Sequence, residues 1–117
     1  MRAFNWNEME PVHQNGRTRR VVAGDALTVM RQTIPAGVPS SEAHRHPHEQ
    51  ISILLEGRAR FTCEGESVEL GPGGVVVFPG GSLHQTESLD GGELVIEEIF
   101  TPGREELNAL APPDPGA

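Results

Sequence analysis

Four of the five histidines in this chain fall in two places. Three lie in the run His44-Arg45-His46-Pro47-His48-Glu49-Gln50, and His84 comes much later, behind the turn Pro79-Gly80-Gly81. Imidazole nitrogens and carboxamide oxygens are ligands for Zn, Ni, Fe, Mn or Cu. Residues two apart on an extended chain point to the same side, so His44 and His46 can grip one ion from one strand. Gln50 shares their parity and Glu49 does not, which leaves Glu49 on the surface. Pro47 interrupts the run, so His48 stays open as an alternative to Gln50, or as a neighbour at the pocket rim that hydrogen-bonds to a ligand. A single histidine is more often an ordinary surface or core residue, and His13 reads that way. A His-x-His pair with a polar donor close by and a distant histidine after a Pro-x-Gly turn is the pattern of a metal site, here His44, His46, Gln50 and His84.

The elements that must position these residues are short. The chain carries 14 Gly and 10 Pro, spread as punctuation rather than gathered in a linker, which indicates many short elements joined by tight turns. Residues 1–24 read as an N-terminal arm or edge strand, with Phe4 and Trp6 as anchors and little regular structure before residue 20. Strands are expected at Leu27–Ile34, Gln50–Leu55, Ala59–Cys63, Ser67–Leu70, Val75–Phe78, Leu83–Glu87 and Leu94–Phe100. A helical turn is expected over Arg104–Leu110, followed by a flexible Pro-rich tail at Pro112–Ala117. No helical period survives over ten residues, so the fold class is all-β, an antiparallel sandwich or barrel in a single domain of 117 residues, with its barrel over 25–101. The stretches Gln50–Leu55 and Val75–Phe78 are apolar on both faces, so something covers the outside of the sheet. A homodimer interface is the expected cover; the alternative is the arm folding back.

Composition removes several function classes. The net charge is −8 and every basic residue is Arg. An acidic chain without a basic patch repels phosphate backbones, so no nucleic-acid partner is expected. The absence of Lys excludes a lysine Schiff base. Arg17, Arg19 and Arg20 are the only positive cluster; they read as a solvated strand face, or else as a docking point for a carboxylate. The single cysteine, Cys63, forms no intrachain disulfide, and reads as a small buried apolar residue that shares a face with Phe61. The first ten residues lack the apolar run of a signal peptide and no stretch is long enough to span a membrane, so a cytoplasmic protein with no membrane partner is expected.

The ligand pattern resembles the cupin superfamily. Gly37, His44, His46, Gln50 and Gly57 follow the order of the first cupin motif, with Gln50 where a glutamate is expected and the spacing after Gly37 one residue longer. Gly73, Pro79, Gly81 and His84 match the second motif at its spacing, with Ser88 in place of its final asparagine. The resemblance implies a cupin jelly-roll β-barrel with one divalent transition metal ion (Zn, Ni, Fe or Mn) held inside on those four ligands.

A narrower resemblance spans roughly residues 20–107. The run His44–Ser52, the Leu55-Glu56-Gly57 turn and the closing Ile99-Phe100-Thr101-Pro102-Gly103-Arg104-Glu105 look like the small cupins that open the ring of 4,5-unsaturated uronates in pectin and alginate breakdown. That subgroup uses an Asp, a Phe and an Arg near its last strand, which map onto Glu98 (in place of the Asp), Phe100 and Arg104 as catalytic residues. What this implies is a small anionic substrate, its carboxylate held by the bidentate fork of Arg104, with Glu98 as general acid and base. Other readings stand beside these: Arg104 paired with Glu105 or Glu106 at the surface, and Phe100 as core alone. Glu98 and Phe100 share a face of the last strand, and Glu97 points away. Because cupins host many reactions, two further functions stay open. One is a metal-dependent dioxygenase or polyketide-cyclase-like cupin on a small diketone or phenolic. The other is a non-catalytic sugar-binding or sensor cupin.

Overall fold

The computed structural model describes residues 1–113. Nine strands form: β1 (Val12–Gln14), β2 (Arg17–Ala23), β3 (Thr28–Ile34), β4 (Glu49–Glu56), β5 (Ala59–Cys63), β6 (Glu66–Leu70), β7 (Val75–Phe78), β8 (His84–Ser88) and β9 (Leu94–Thr101), followed by one helical turn, α1 (Glu105–Asn108). All pairings are antiparallel. They build a six-stranded sheet in the order β1-β2-β3-β9-β4-β7 and a three-stranded sheet in the order β6-β5-β8. The two sheets make a jelly-roll barrel, within the antiparallel sandwich or barrel expected from strand count and turns and as the family resemblance implies.

Alternation decides which side chains face inward. On β9 the inward residues are Leu94, Ile96, Glu98 and Phe100, and on β4 they are Gln50, Ser52 and Leu54. One half of the interior is apolar: Leu54, Ala59, Phe61, Phe78, Leu94 and Ile96 pack together, with Cys63 against them. A smaller cluster of Val21, Met30, Phe100 and Leu107 seats α1 on the sheet. Gly57 ends β4 at φ +92°, where an added Cβ would lie 2.3 Å from the Glu93 carbonyl oxygen. Both the left-handed backbone and the close approach require glycine there.

The N-terminal segment departs from the sequence reading. Residues 12–23, read as part of an arm or edge strand, pair as two strands, β1 on β2 and β2 on β3. The arm proper is shorter, and Trp6 lies under the Arg31 guanidinium, 5.4 Å from the ring centroid. The expected turn at residues 104–110 forms over its middle. Of the tail, residues 114–117 lie outside the described residues. The outer faces of Val75 and Val77 stay 58% and 55% exposed, so among the described residues nothing covers this face of β7. Among the described residues no helix is long and apolar enough to cross a membrane.

Candidate metal centre

His44 and His46 are carried by an irregular segment rather than by one strand. Its geometry is set by backbone bonds. His44 and His84 exchange N–H···O bonds at 3.0 and 2.9 Å, and the Gly81 N–H donates to the His46 carbonyl at 2.8 Å. A Cβ on Gly80 would sit 2.5 Å from the Pro47 carbonyl oxygen, so the Pro-Gly-Gly turn can lie against the histidine segment only because it lacks side chains. The two motifs are thereby laced into one site.

The rings are oriented by carbonyls. His84 Nδ1 faces the Ser82 oxygen at 3.0 Å, His46 Nδ1 the His48 oxygen at 3.1 Å, and His44 Nδ1 the Glu42 oxygen at 3.3 Å. A carbonyl only accepts, so each Nδ1 carries the proton and each Nε2 is left with its lone pair. The ligand atoms of the three histidines lie within 4.8 Å of one another. Buried His84 Nε2 has no hydrogen-bond partner. Gln50 completes the set. Its Nε2 donates to Ser52 Oγ at 2.9 Å, which turns Oε1 toward His46 Nε2 at 3.0 Å. With His46 protonated on Nδ1, two lone pairs face each other there, an arrangement that a shared cation relieves. The donor set therefore fits a divalent ion on three imidazoles and one carboxamide oxygen. Burial lowers the pKa of both His46 and His84, which favours the neutral form that ligates. His48 lies outside the cluster and contributes its carbonyl to holding His46. Glu49 is exposed, as its parity requires.

A cavity of about 140 Å³ opens beside these ligands, lined by His44, Gln50 and His84 and then by Glu98, Arg17, Arg19 and Arg104. Glu98 is buried, and its Oε1 accepts from Gln32 Nε2 at 3.3 Å. Desolvation lifts its pKa from 4.5 to about 7 and outweighs the pull of Arg19, Arg104 and Arg17. A carboxyl poised near neutrality can both give and take a proton. Phe100 is fully buried, meets His46 edge-on at 5.8 Å and carries the Arg104 guanidinium 4.8 Å above its ring. Core and site wall are thus the same residue. Arg104 does both things weighed for it: its guanidinium pairs with Glu106 and it lines the cavity. Glu97 faces outward to Arg31 at 3.1 Å. Cys63 packs on the apolar core and does not line the cavity.

The sequence reading left Arg17 and Arg19 between a solvated strand face and a docking point for a carboxylate, and it missed Gln32; the structure puts all three on the cavity wall. The signal was available in parity: Arg17, Arg19 and Val21 alternate on β2, and both Arg17 and Val21 are buried.

Comparison with known proteins agrees with this geometry. The family profile for the Cupin domain matches residues 30–100. Over 69 residues the chain is 39% identical to dimethylsulfoniopropionate lyase DddQ of Ruegeria pomeroyi, covering 58% of this chain and 34% of that one. The chain therefore spans about a third of the length of that curated relative. An RmlC-like cupin from Shewanella frigidimarina superposes with a TM-score of 0.80 at 20% identity, over 88% of this chain and 92% of that one. KdgF from Halomonas sp. superposes with a TM-score of 0.78 at 25% identity, over 88% and 94%.

Proposed function

The chain belongs to the Cupin domain family, and from that premise we propose that it is a metal-dependent enzyme that opens the ring of a 4,5-unsaturated uronate to the linear keto sugar. One divalent transition metal ion, Zn, Ni, Fe or Mn, would be held by His44, His46, Gln50 and His84. The observation that carries this reading is the grouping, in one cavity, of three of those ligands, a near-neutral carboxyl and arginines. The ion, when bound, supplies Lewis-acid polarisation of the sugar oxygens. Glu98 moves the proton: it takes one from the anomeric hydroxyl as the ring C–O bond breaks and leaves its electron pair on the former ring oxygen as an enolate, and it returns one to carbon 4 as the enolate becomes the ketone. The net change is an isomerisation and needs no oxidant. Phe100 packs against His46 beside the site, and the positive charge along the cavity favours an anionic substrate.

A second reading is favoured by the 39% identity to a lyase acting on dimethylsulfoniopropionate. Its chemistry would use the same parts in another order, with Glu98 taking a proton beside the carboxylate as the carbon–sulfur bond breaks. Two assays separate the readings. Unsaturated uronates absorb in the near ultraviolet through their conjugated enol ether, and the metal-loaded protein should remove that absorbance faster than the blank without O2. Release of dimethyl sulfide from dimethylsulfoniopropionate reports the lyase. Glu98→Asp should keep or raise ring-opening activity, because the resemblance places an Asp there. If neither wild type nor Glu98→Asp beats the blank on galacturonate- or mannuronate-derived substrate, ring opening is wrong. A strict need for O2 would instead favour the dioxygenase, and metal-bound protein without turnover the binding module.

A further inference from the structure

The strand register orders the cavity along its length. Thr28, Phe100, Gln50 and Phe78 form one inward row across the sheet; Val21, Met30, Glu98 and Ser52 form the next; Arg19, Gln32, Ile96 and Leu54 form the third. Each row is two residues, about 7 Å, beyond the last. The proton-transfer residue therefore stands between the ligand row and the Arg19 row. Arg104 belongs to the ligand end, where its backbone N–H donates to Thr28 Oγ1 at 2.9 Å and its guanidinium is held over Phe100 and neutralised by Glu106.

The two arginines of β2 are in a different state. Among the described residues neither Arg17 nor Arg19 forms an ion pair. Both are held by neutral groups. Arg17, 7% exposed, donates from Nη2 to the Pro39 carbonyl at 3.0 Å. Arg19 donates from Nε to Gln32 at 2.8 Å and from Nη1 to Gln14 at 3.0 Å. These bonds orient each fork, and among the described residues Arg19 Nη2 has no hydrogen-bond partner, on a side chain that lines the cavity. Arg17 is buried and Arg19 half-buried, and two like charges on neighbouring inward positions, partly removed from water, are unfavourable without an anion; Glu98, the carboxyl that acts on Arg19, is itself held near neutrality. A pre-oriented, uncompensated guanidinium pair is the arrangement that a carboxylate completes.

We propose that Arg19, braced by Arg17, is the substrate carboxylate subsite, and that Arg104 is not. This deepens the reading of a small carboxylate substrate and rests on it. A substrate whose carboxylate sits on Arg19 and whose oxygens reach the ligand row lies across Glu98. The subsite selects sugar acids and short aliphatic acids over neutral sugars.

Binding, not turnover, tests this, so its outcome is independent of whether uronate rings are opened. The zinc-loaded full chain is titrated calorimetrically with galacturonate, propionate and galactose, none of which carries the unsaturated ring. Wild type should bind both acids and disfavour galactose. Arg19→Gln should weaken both acids at least about tenfold, the scale of one lost charged hydrogen bond, and leave galactose and zinc content unchanged. Arg104→Gln should change acid binding less than about threefold. Because a β2 variant can fail to fold, wild-type protein is also modified with phenylglyoxal and mapped by mass spectrometry, with galacturonate expected to protect Arg19 and galactose not. Equal binding of galactose and galacturonate overturns the proposal. So does undiminished acid binding in Arg19→Gln, or protection confined to Arg104.

Discussion

Replacing Glu98 by Gln should make the metal-free protein more stable at neutral and alkaline pH while disabling it. Burial lifts the Glu98 pKa from 4.5 to about 7. The folded state thus keeps this proton to about pH 7 while the unfolded chain releases it near pH 4.5. Between those values the native state binds more protons, so stability falls as pH rises. At 1.36 kcal/mol per pKa unit, the window corresponds to about 3 kcal/mol lost by the time the pH passes 7. Glutamine keeps the shape and an oxygen to accept from Gln32 Nε2, and removes only the titration. Urea unfolding in chelator, at about pH 5 and about pH 8.5, measures the difference between wild type and Glu98→Gln, so other titrating groups cancel. The variant should gain roughly 2 to 3 kcal/mol on wild type between those two conditions. The same change removes the group proposed to transfer the proton and should lower kcat by about 100-fold or more with little change in KM. Parallel stability curves for the two proteins would refute the reasoning, because they would mean that the carboxyl is hydrated or paired and ionises without cost.

Three further outcomes follow from the same residues. A double change of His46 and His84 to Ala should abolish bound transition metal, which protein purified without a His tag should otherwise carry at close to one ion per chain by elemental analysis; full metal content in the double variant would disprove the ligand set. Burial holds the His46 and His84 pKa below the ordinary 6.5, so the unfolded chain binds more protons below that pH, and thermal stability and metal content should both fall as the pH drops through about 6. We also propose that Val75 and Val77, exposed on the β7 edge, are covered by a second copy: light scattering should give twice the chain mass, Val77→Glu should shift it toward monomer, and a wild-type monomer across micromolar concentrations would defeat the idea.

What was readable in the sequence is what is local. His44, His46 and Gln50 lie within seven residues, and a Pro-Gly-Gly turn marks His84, so the ligand set needs no knowledge of sheet order. Glu98 was reachable because alternation along Leu94–Thr101 separates it from Glu97, and the structure shows Glu98 buried and Glu97 half-buried. The shared parity of His44 and His46 led to the right convergence through the wrong element: an irregular segment pinned by a bridge to His84, not a strand.

The N-terminal strands were legible only as an arm or edge strand, for a physical reason. A strand is recognised when apolar residues alternate with polar ones, because the inward face normally meets a dry core. On β2 the inward positions are Arg17, Arg19 and Val21, and the first two face a polar cavity. There the pattern that marks a strand is erased by the residues that line the site, and charged residues in an Arg-Thr-Arg-Arg run read as solvated. The same cause blurred the strand and left the arginines between a solvated face and a docking point for a carboxylate. On a barrel whose interior is half core and half cavity, a segment that fails the hydrophobic pattern yet alternates charged with uncharged residues is a candidate wall of the site. Arg17 at 7% exposure, with no acidic partner among the described residues, is the kind of residue such a segment contributes.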